Sequence, residues 1–175
     1  MNIRYTISIY TENNVGLLNR ISAIFLKRHI NIVSINSSES EITDIFRFVI
    51  VVDVDENQII KLIKQIEKQI EVISAFFHTN DEIIYLETAL YKVKSESLFK
   101  ERQIQNIIKE SRANMVTVKP EFFVIEKTGW REETEELYQK LKPYGLMQFV
   151  RSGRIAVSKD SMEISKLLNI KKNYE

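Results

Sequence analysis

The sequence predicts an α+β protein built from two ferredoxin-like units, each with the element order β-α-β-β-α-β and an antiparallel sheet with helices on one face. Three observations support this prediction. Segments of alternating apolar and polar side chains are separated by segments with apolar residues at helical spacing. The order of these segments in the first half recurs in the second half. Only 4 Gly and 2 Pro occur among 175 residues, so we expect short connections.

The first unit opens with an alternating strand over 3–10, followed by a polar break and an amphipathic helix from Leu17 to Phe25. Asn13 or Asn14 is the expected N-cap of that helix, because a short polar side chain can accept from its free N–H groups. The remaining segments are predicted as strands at 31–40 and 46–54, a helix over 57–70 with Ile70 on its apolar stripe, and a strand over 72–77.

The second unit repeats this order. We predict a strand at 83–94, a helix at 98–112, strands at 115–118 and 122–125, a helix at 130–141, and short strands at 146–150 and 155–157. Residues 161–175 are polar and rich in lysine, which is typical of a last helical turn and a frayed end. The predicted domains are therefore 1–80 and 81–160, followed by a tail at 161–175.

The outer face of the first sheet is predicted to be polar. Arg4, Thr6, Ser8 and Tyr10 lie on this face of the first strand and are too polar to form a core of their own. The two helices cover only the other face of the sheet, so the polar face and both edge strands stay uncovered. Because open strand edges favour pairing, we expect a homodimer through the N-terminal units.

Composition excludes several classes of protein. The chain has 25 Lys and Arg against 24 Asp and Glu, a net charge of +1, whereas a dedicated nucleic-acid binder is usually basic. It has no Cys, so disulfides and thiol nucleophiles are impossible. No apolar run is long enough for a signal peptide or a membrane span. We therefore expect a cytoplasmic protein that binds neither nucleic acid nor membrane.

Residues that could carry catalysis are scarce. His29 and His78 are the only histidines, and neither has an acidic residue at metal-ligand spacing. No nucleophile elbow, Walker A or dinucleotide-binding glycine pattern occurs. The acidic run at 132–136 falls in the first turns of a predicted helix, where carboxylates stabilise the helix dipole. We predict no catalytic residue, no metal site and no cofactor in this chain.

An RNA-binding module is a weaker alternative. Such modules share the predicted element order and stack bases on aromatic side chains of the sheet. Phe46 and Phe48 would supply the rings, but they share a face with Ile50, Val52 and Val54, and the glycines of the RNA motif are absent. The pattern favours a core face packed on helices.

The turn between the first strand and the first helix, residues 12–18, is the best candidate site. Free N–H groups at a helix N-terminus attract a carboxylate, and Gly16 permits close approach of a ligand. Asn13 and Asn14 offer both donors and acceptors, which suits an amino-acid zwitterion. Taken alone, these residues favour a plain capped turn over a ligand site.

The order of several motifs resembles one family. Segment 8–21 is similar to the start of an ACT domain and, more narrowly, of the regulatory small subunit of acetolactate synthase. In the first half the family pattern is matched by Glu12, Asn13, Gly16, Leu18, Arg20, Phe25, Arg28, Asn31 and Ile32. In the second half it is matched by Val118-Lys119-Pro120 and by Val150-Arg151-Ser152-Gly153.

The chain departs from the family pattern in three places. His29-Ile30 replaces a glycine and an aromatic residue, so the turn after the first helix is expected to change. Arg154 stands where a small apolar residue is usual, and Asn36-Ser37 replaces a more apolar segment. These departures bear on the affinity and choice of effector.

The resemblance implies a non-catalytic subunit that activates a catalytic large subunit and confers feedback inhibition by valine or another branched-chain amino acid. The large subunit of the family uses thiamine diphosphate, Mg²⁺ and FAD, none of which this chain should bind. The N-terminal domain would sense the amino acid and dimerise, and the C-terminal domain would activate the large subunit. The alternative is a stand-alone tandem ACT-type sensor that regulates a transcription or transport protein.

In this family the effector lies between paired ACT domains. By matching position, one chain would hold its polar end with Asn13, Asn14, Val15, Gly16 and Leu17. Asn31 and Ile32 would come from the neighbouring chain.

Overall fold

A computed structural model describes residues 2–100, 102–166 and 168. The chain divides into two compact units. The first unit comprises Met1–Tyr85 together with Ile155–Glu175, and the second comprises Leu86–Arg154. The predicted division into 1–80 and 81–160 differs from this one at residues 155–160, which the structure groups with the first unit.

The first unit has the predicted α+β architecture. Its elements are β1 (Ile3–Glu12), α1 (Leu17–Lys27), β2 (Ile32–Glu39), β3 (Ile45–Val54), α2 (Glu56–Ile66) and β4 (Val72–Thr79). Its antiparallel sheet has the strand order β2-β3-β1-β4. One face of the sheet and both helices enclose a core centred on Ile7, Ile9, Ile21, Phe25, Ile50, Ile59 and Leu62.

The ends of the two helices differ from the prediction. Gly16, in the left-handed conformation at φ 83°, takes the N-cap position of α1, so the prediction of Asn13 or Asn14 as a side-chain cap is wrong. The Asn14 backbone carbonyl instead accepts from the Leu17 N–H at 3.3 Å. Helix α2 ends at Ile66, and Ile70, expected on its buried stripe, is 95% exposed.

His29 lies in the turn after α1, where the family pattern has a glycine and an aromatic residue in place of His29-Ile30. It adopts φ 54°, and the Ile30 N–H donates to the Phe25 carbonyl at 3.0 Å. This is the backbone conformation that a glycine cap adopts at a helix end. A non-glycine residue pays about 1–2 kcal/mol for this conformation, which the surrounding helix end holds in place.

The second unit repeats the first in outline. Its elements are β5 (Ile83–Lys94), α3 (Ser95–Lys100), α4 (Arg102–Glu110), β6 (Asn114–Val118), β7 (Phe122–Gly129), α5 (Arg131–Leu141) and β8 (Leu146–Arg151); β9 (Ile155–Ser158) follows. Its sheet has the order β6-β7-β5-β8, and β9 pairs with β5. The core gathers Tyr91, Phe123, Ile125, Ile104, Leu137 and Leu141.

The polar face of the first sheet is not left open, which corrects the expectation from the sequence. Strand β9, residues 162–165 and Leu168 lie against it. Ile164 and Leu168 pack with Tyr10 and Ile45, and Leu168 is fully buried. The part of the predicted tail at 161–166 and Leu168 is thus packed on the sheet, while 167 and 169–175 lie outside the described residues.

Candidate functional site

The turn between β1 and α1 borders a cavity of about 220 Å³. Because β2 and β3 lie beside β1, their side chains complete its wall. The lining residues are Glu12, Asn13, Asn14, Gly16, Leu17, Leu18, Ser37, Phe46 and Phe48. Four of the predicted site residues, Asn13, Asn14, Gly16 and Leu17, are therefore brought together here.

Gly16 gives the cavity an open side next to the helix. Apart from Gly16 itself and the backbone next to it in the chain, no described atom lies within 4 Å of the position that a Cβ on Gly16 would occupy. No side chain among the described residues caps α1, so its first turn presents backbone N–H groups. An anion placed there would meet these N–H groups and the positive end of the helix dipole.

The remaining wall combines one carboxylate with apolar surface. The Asn14 side-chain amide donates to the Glu12 carboxylate at 3.1 Å, which orients both groups at the rim. Leu17 and Phe48 are buried, and the Phe46 and Phe48 rings meet edge to face at 5.3 Å between centroids. The cavity thus offers a place for an anion, a place for a cation and an apolar surface for a short side chain.

Part of this wall was not predicted from the sequence. Glu12 and Leu18 lie within the predicted turn at 12–18 but were not assigned to the effector. The cavity is also lined by Ser37, Phe46 and Phe48, none of which was predicted as a site residue. The register of the sheet explains their presence. In β3, Phe46 lies opposite Thr11 and Phe48 lies opposite Ser37 of β2. Alternation in the sequence identifies the strands but not this pairing.

Three predicted site residues do not join the cavity within one chain. The Val15 side chain is fully exposed and is not part of the lining. Asn31 and Ile32 stand at the start of β2, where Ile32 pairs with Val52. Ser37 lies five residues further along, or about 17 Å at the rise of a strand. Their assignment to the neighbouring chain stays a prediction.

The family-pattern arginines make structural contacts. Arg20 forms an ion pair with Glu71, and the Arg28 Nε donates to the Gln65 side chain at 2.6 Å. In the second unit, Arg151 donates to the Glu135 carboxylate at 2.9 Å and lowers the pKa of that group. These contacts position α1, α2 and α5 within their units.

The Ser152 and Arg154 side chains fix the end of β8. The Ser152 Oγ accepts from the Thr88 N–H at 3.0 Å, which extends the contact of this segment with β5. Arg154, a departure from the family pattern, is buried with its Nε 4.0 Å from the Glu87 carboxylate. A buried ion pair here replaces the apolar contact that the family pattern implies.

The other candidates for chemistry have structural roles. In the acidic run at 132–136, Glu133 accepts from the Trp130 N–H at 2.7 Å and closes the first turn of α5. Within the described ranges, no group of three His, Asp or Glu side chains could hold a metal ion. Phe48 is buried in the core and cannot stack a base, which weakens the RNA-binding alternative. Among the described residues, no helix is long and apolar enough to span a bilayer.

Comparisons with known proteins give a consistent result. Residues 86–160 match the family model for the small subunit of acetolactate synthase, and residues 5–71 match the ACT domain model. The acetolactate synthase small subunit of Bacillus subtilis is 37% identical over 90% of this chain and 91% of that protein. The one of Mycolicibacterium smegmatis is 34% identical over 89% and 91%, respectively.

A solved structure agrees with these matches. The crystal structure of the acetolactate synthase small subunit from Thermotoga maritima has a TM-score of 0.82 to this chain at 26% identity. The similarity covers 91% of this chain and 99% of that one. Both units and their order in the chain are therefore shared.

Proposed function

The chain belongs to the family of acetolactate synthase small subunits, and on that premise we propose that it regulates a catalytic large subunit in branched-chain amino acid biosynthesis. It raises the activity of the large subunit and confers feedback inhibition by valine or another branched-chain amino acid. The large subunit carries thiamine diphosphate, Mg²⁺ and FAD and joins two 2-oxo acids in the cytoplasm. This chain contributes no catalytic residue.

The cavity at the β1–α1 turn is the observation that carries the proposal. The effector carboxylate lies at the first turn of α1 beside Gly16, where backbone N–H groups converge. Its ammonium faces the Glu12 carboxylate and the side-chain oxygens of Asn13 and Asn14. Its branched side chain packs on the apolar wall formed by Leu17, Leu18, Phe46 and Phe48. One methylene changes binding in such a cavity by about 1–3 kcal/mol, so several branched-chain amino acids are admitted.

A second copy of the chain completes the site. Strand β2 is an edge strand and carries the exposed apolar side chains of Val33 and Ile35. If two β2 strands pair antiparallel about a twofold axis, the start of one strand lies beside the end of the other. Asn31 and Ile32 of one chain would then approach Ser37 at the cavity of its partner. Such pairing would form a homodimer and would bring the residues predicted from the neighbouring chain to the cavity.

A stand-alone tandem ACT-type sensor is the second candidate. It would share the first unit and the amino-acid site. The match of residues 86–160 to the small-subunit model favours the enzyme subunit, because that model describes the second unit. We therefore assign activation of the large subunit to the second unit.

The test is reconstitution with the catalytic large subunit of the same organism. We expect co-purification, a rise in acetolactate formation on addition of this chain, and inhibition by valine or another branched-chain amino acid. The chain alone should form no acetolactate from pyruvate. Light scattering at micromolar concentration should show a dimer. Failure to bind or activate the large subunit, with amino-acid binding retained, would support the stand-alone sensor instead.

A further inference from the structure

A second cavity, of about 320 Å³, lies in the first unit on the sheet face opposite the helices. Its floor is the outer face of β1, β3 and β4, and its roof is formed by β9 and residues 162–165. This volume falls in the range of sites for small organic ligands. The cavity at the β1–α1 turn shares no lining residue with it.

The sheet register brings three cross-strand pairs into the floor. Tyr10 lies opposite Arg47, Ser8 opposite Phe76, and Thr6 opposite His78. All six residues line the cavity. Directly opposed residues on neighbouring strands place their side chains about 5 Å apart, so the polar groups and the Phe76 ring form one continuous surface.

The roof is held in place by contacts outside the cavity. The Lys159 N–H donates to the Glu82 carbonyl at 2.9 Å, and its ammonium donates to the Asp81 carbonyl at 2.7 Å. Leu168 is buried against Tyr10 and Ile45. The cavity is therefore enclosed by a segment fixed on both sides.

Arg47 is the half-buried cation of this cavity. Burial raises the pKa of Tyr10, and the neighbouring Arg47 guanidinium opposes that rise. Among the residues that the structure describes, Arg47 has no carboxylate within 4.0 Å. A partly buried guanidinium favours a carboxylate partner, which it can bind through two parallel hydrogen bonds.

The acidic groups at the rim do not neutralise this site. Glu163 pairs with Lys166 at 2.6 Å, and Glu41 is exposed on the β2–β3 connection. The other polar groups are the hydroxyls of Thr6, Ser8, Ser158 and Ser165 and the His78 ring. The body of the cavity is apolar, with contributions from Phe76, Ile83, Ala156, Met162 and Ile164.

We propose that this cavity binds a small monocarboxylate with an apolar body, at a site separate from the turn between β1 and α1. The carboxylate pairs with Arg47 and accepts from the neighbouring hydroxyls. The apolar body packs on Phe76 and under the roof. Because the roof belongs to the C-terminal segment, an occupied cavity holds that segment on the sheet.

The probe for this site is 4-methylpentanoate, and 4-methylpentanamide is its uncharged counterpart. Titration of the full chain, followed by amide NMR, should show saturable binding of the acid and binding of the amide at least tenfold weaker. Shifted resonances should include Ser8 and Phe76. This comparison needs no variant, so it tests the proposal even if a substitution prevents folding.

Two variants locate the site. Arg47→Gln should weaken binding of the acid tenfold or more, and Ser8→Leu should abolish it by filling the floor. Arg4→Gln is the matched control, because Arg4 is on the same face and pairs with Asp53 at 2.7 Å outside the cavity. It should bind the acid as the parent does.

Binding of 4-methylpentanoate at this cavity must also be distinguished from binding at the proposed amino-acid site. Gly16→Asp should leave binding of 4-methylpentanoate unchanged. Loss of binding in Gly16→Asp together with unchanged binding in Arg47→Gln would place the acid at the β1–α1 turn and overturn the proposal. Equal affinity for acid and amide, or no saturable binding, would overturn it as well. Neither result would bear on amino-acid inhibition of the large subunit.

Discussion

The side-chain amide of Asn14 donates a hydrogen bond of 3.1 Å to the carboxylate of Glu12, and both residues line the cavity at the β1–α1 turn. This contact holds a negative charge at the rim where the proposed effector carries its ammonium. The arrangement distinguishes the cavity from a plain anion site, because a zwitterion needs groups of both signs.

Glu12→Gln therefore tests the ammonium contact. Glutamine has the same shape and still accepts from Asn14, so only the charge is lost. A hydrogen bond to a charged group contributes about 1.5–3 kcal/mol, and its loss should raise the half-inhibitory valine concentration about tenfold or more. The measurement is a valine titration of the reconstituted enzyme. An unchanged titration would remove Glu12 from the site.

Asn13→Ala should weaken inhibition in the same direction. It removes one polar partner of the effector, at a cost of about 1.5–3 kcal/mol in binding. Val15→Ala is the matched control, because the Val15 side chain is exposed and outside the lining. The two variants are compared in one valine titration. Equal effects would show that the turn acts through its backbone alone.

Gly16→Asp should give a complex that is active but insensitive to branched-chain amino acids. Two negative charges about 4 Å apart repel by about 4 kcal/mol at an effective dielectric of 20. The left-handed φ of 83° adds strain of about 1–2 kcal/mol for any side chain. Gly16→Ala carries the strain without the charge and is the control. If valine inhibits Gly16→Asp as it does the parent, the effector binds elsewhere.

Much of this site follows from the sequence, and the remainder depends on strand register. Alternation over 3–10 and 46–54 identifies β1 and β3, because a half-buried strand has a period of two. The alternation does not predict that Phe48 lies opposite Ser37, because the register of two strands depends on the geometry of the turn between them. Phe46 and Phe48 were therefore predicted as core and not as cavity wall.

The C-terminal segment that lies on the first sheet shows a different limit of prediction from sequence. Ile164 and Leu168 are four residues apart, which is helical spacing, but the polar composition of 161–175 hides this short stripe. Composition averaged over 161–175 indicates a frayed end, whereas in the structure Ile164 and Leu168 pack on the sheet. The N-cap of α1 was missed for a related reason, because Gly16 replaces a side-chain cap with a backbone conformation.

The stability of the second unit should depend on the ionisation of Glu135. Its pKa is lowered by the hydrogen bond from Arg151, so the contact stabilises the unit above the ordinary pKa and is lost as the pH falls through the lowered value. Glu135 is 47% exposed, and solvent keeps the contribution below about 1 kcal/mol.

Urea unfolding followed by Trp130 fluorescence should show Glu135→Gln less stable than the parent at pH 7. The difference should vanish in acid, and a difference that persists there would assign the effect to packing.

Leu168→Ala should loosen the C-terminal segment from the first sheet. Leu168 is fully buried against Tyr10 and Ile45, and truncation of a buried leucine costs about 2–5 kcal/mol. The cluster is small, so we expect the lower end, about 2 kcal/mol.

Hydrogen exchange of the full chain should become faster in residues 158–168, and the β1 peptide should lose protection around Tyr10. Lys166→Ala, on an exposed position of the same segment, should leave both unchanged. Unchanged exchange in Leu168→Ala would mean that the segment does not cover the sheet in solution, and the polar face would then be free to pair with another chain.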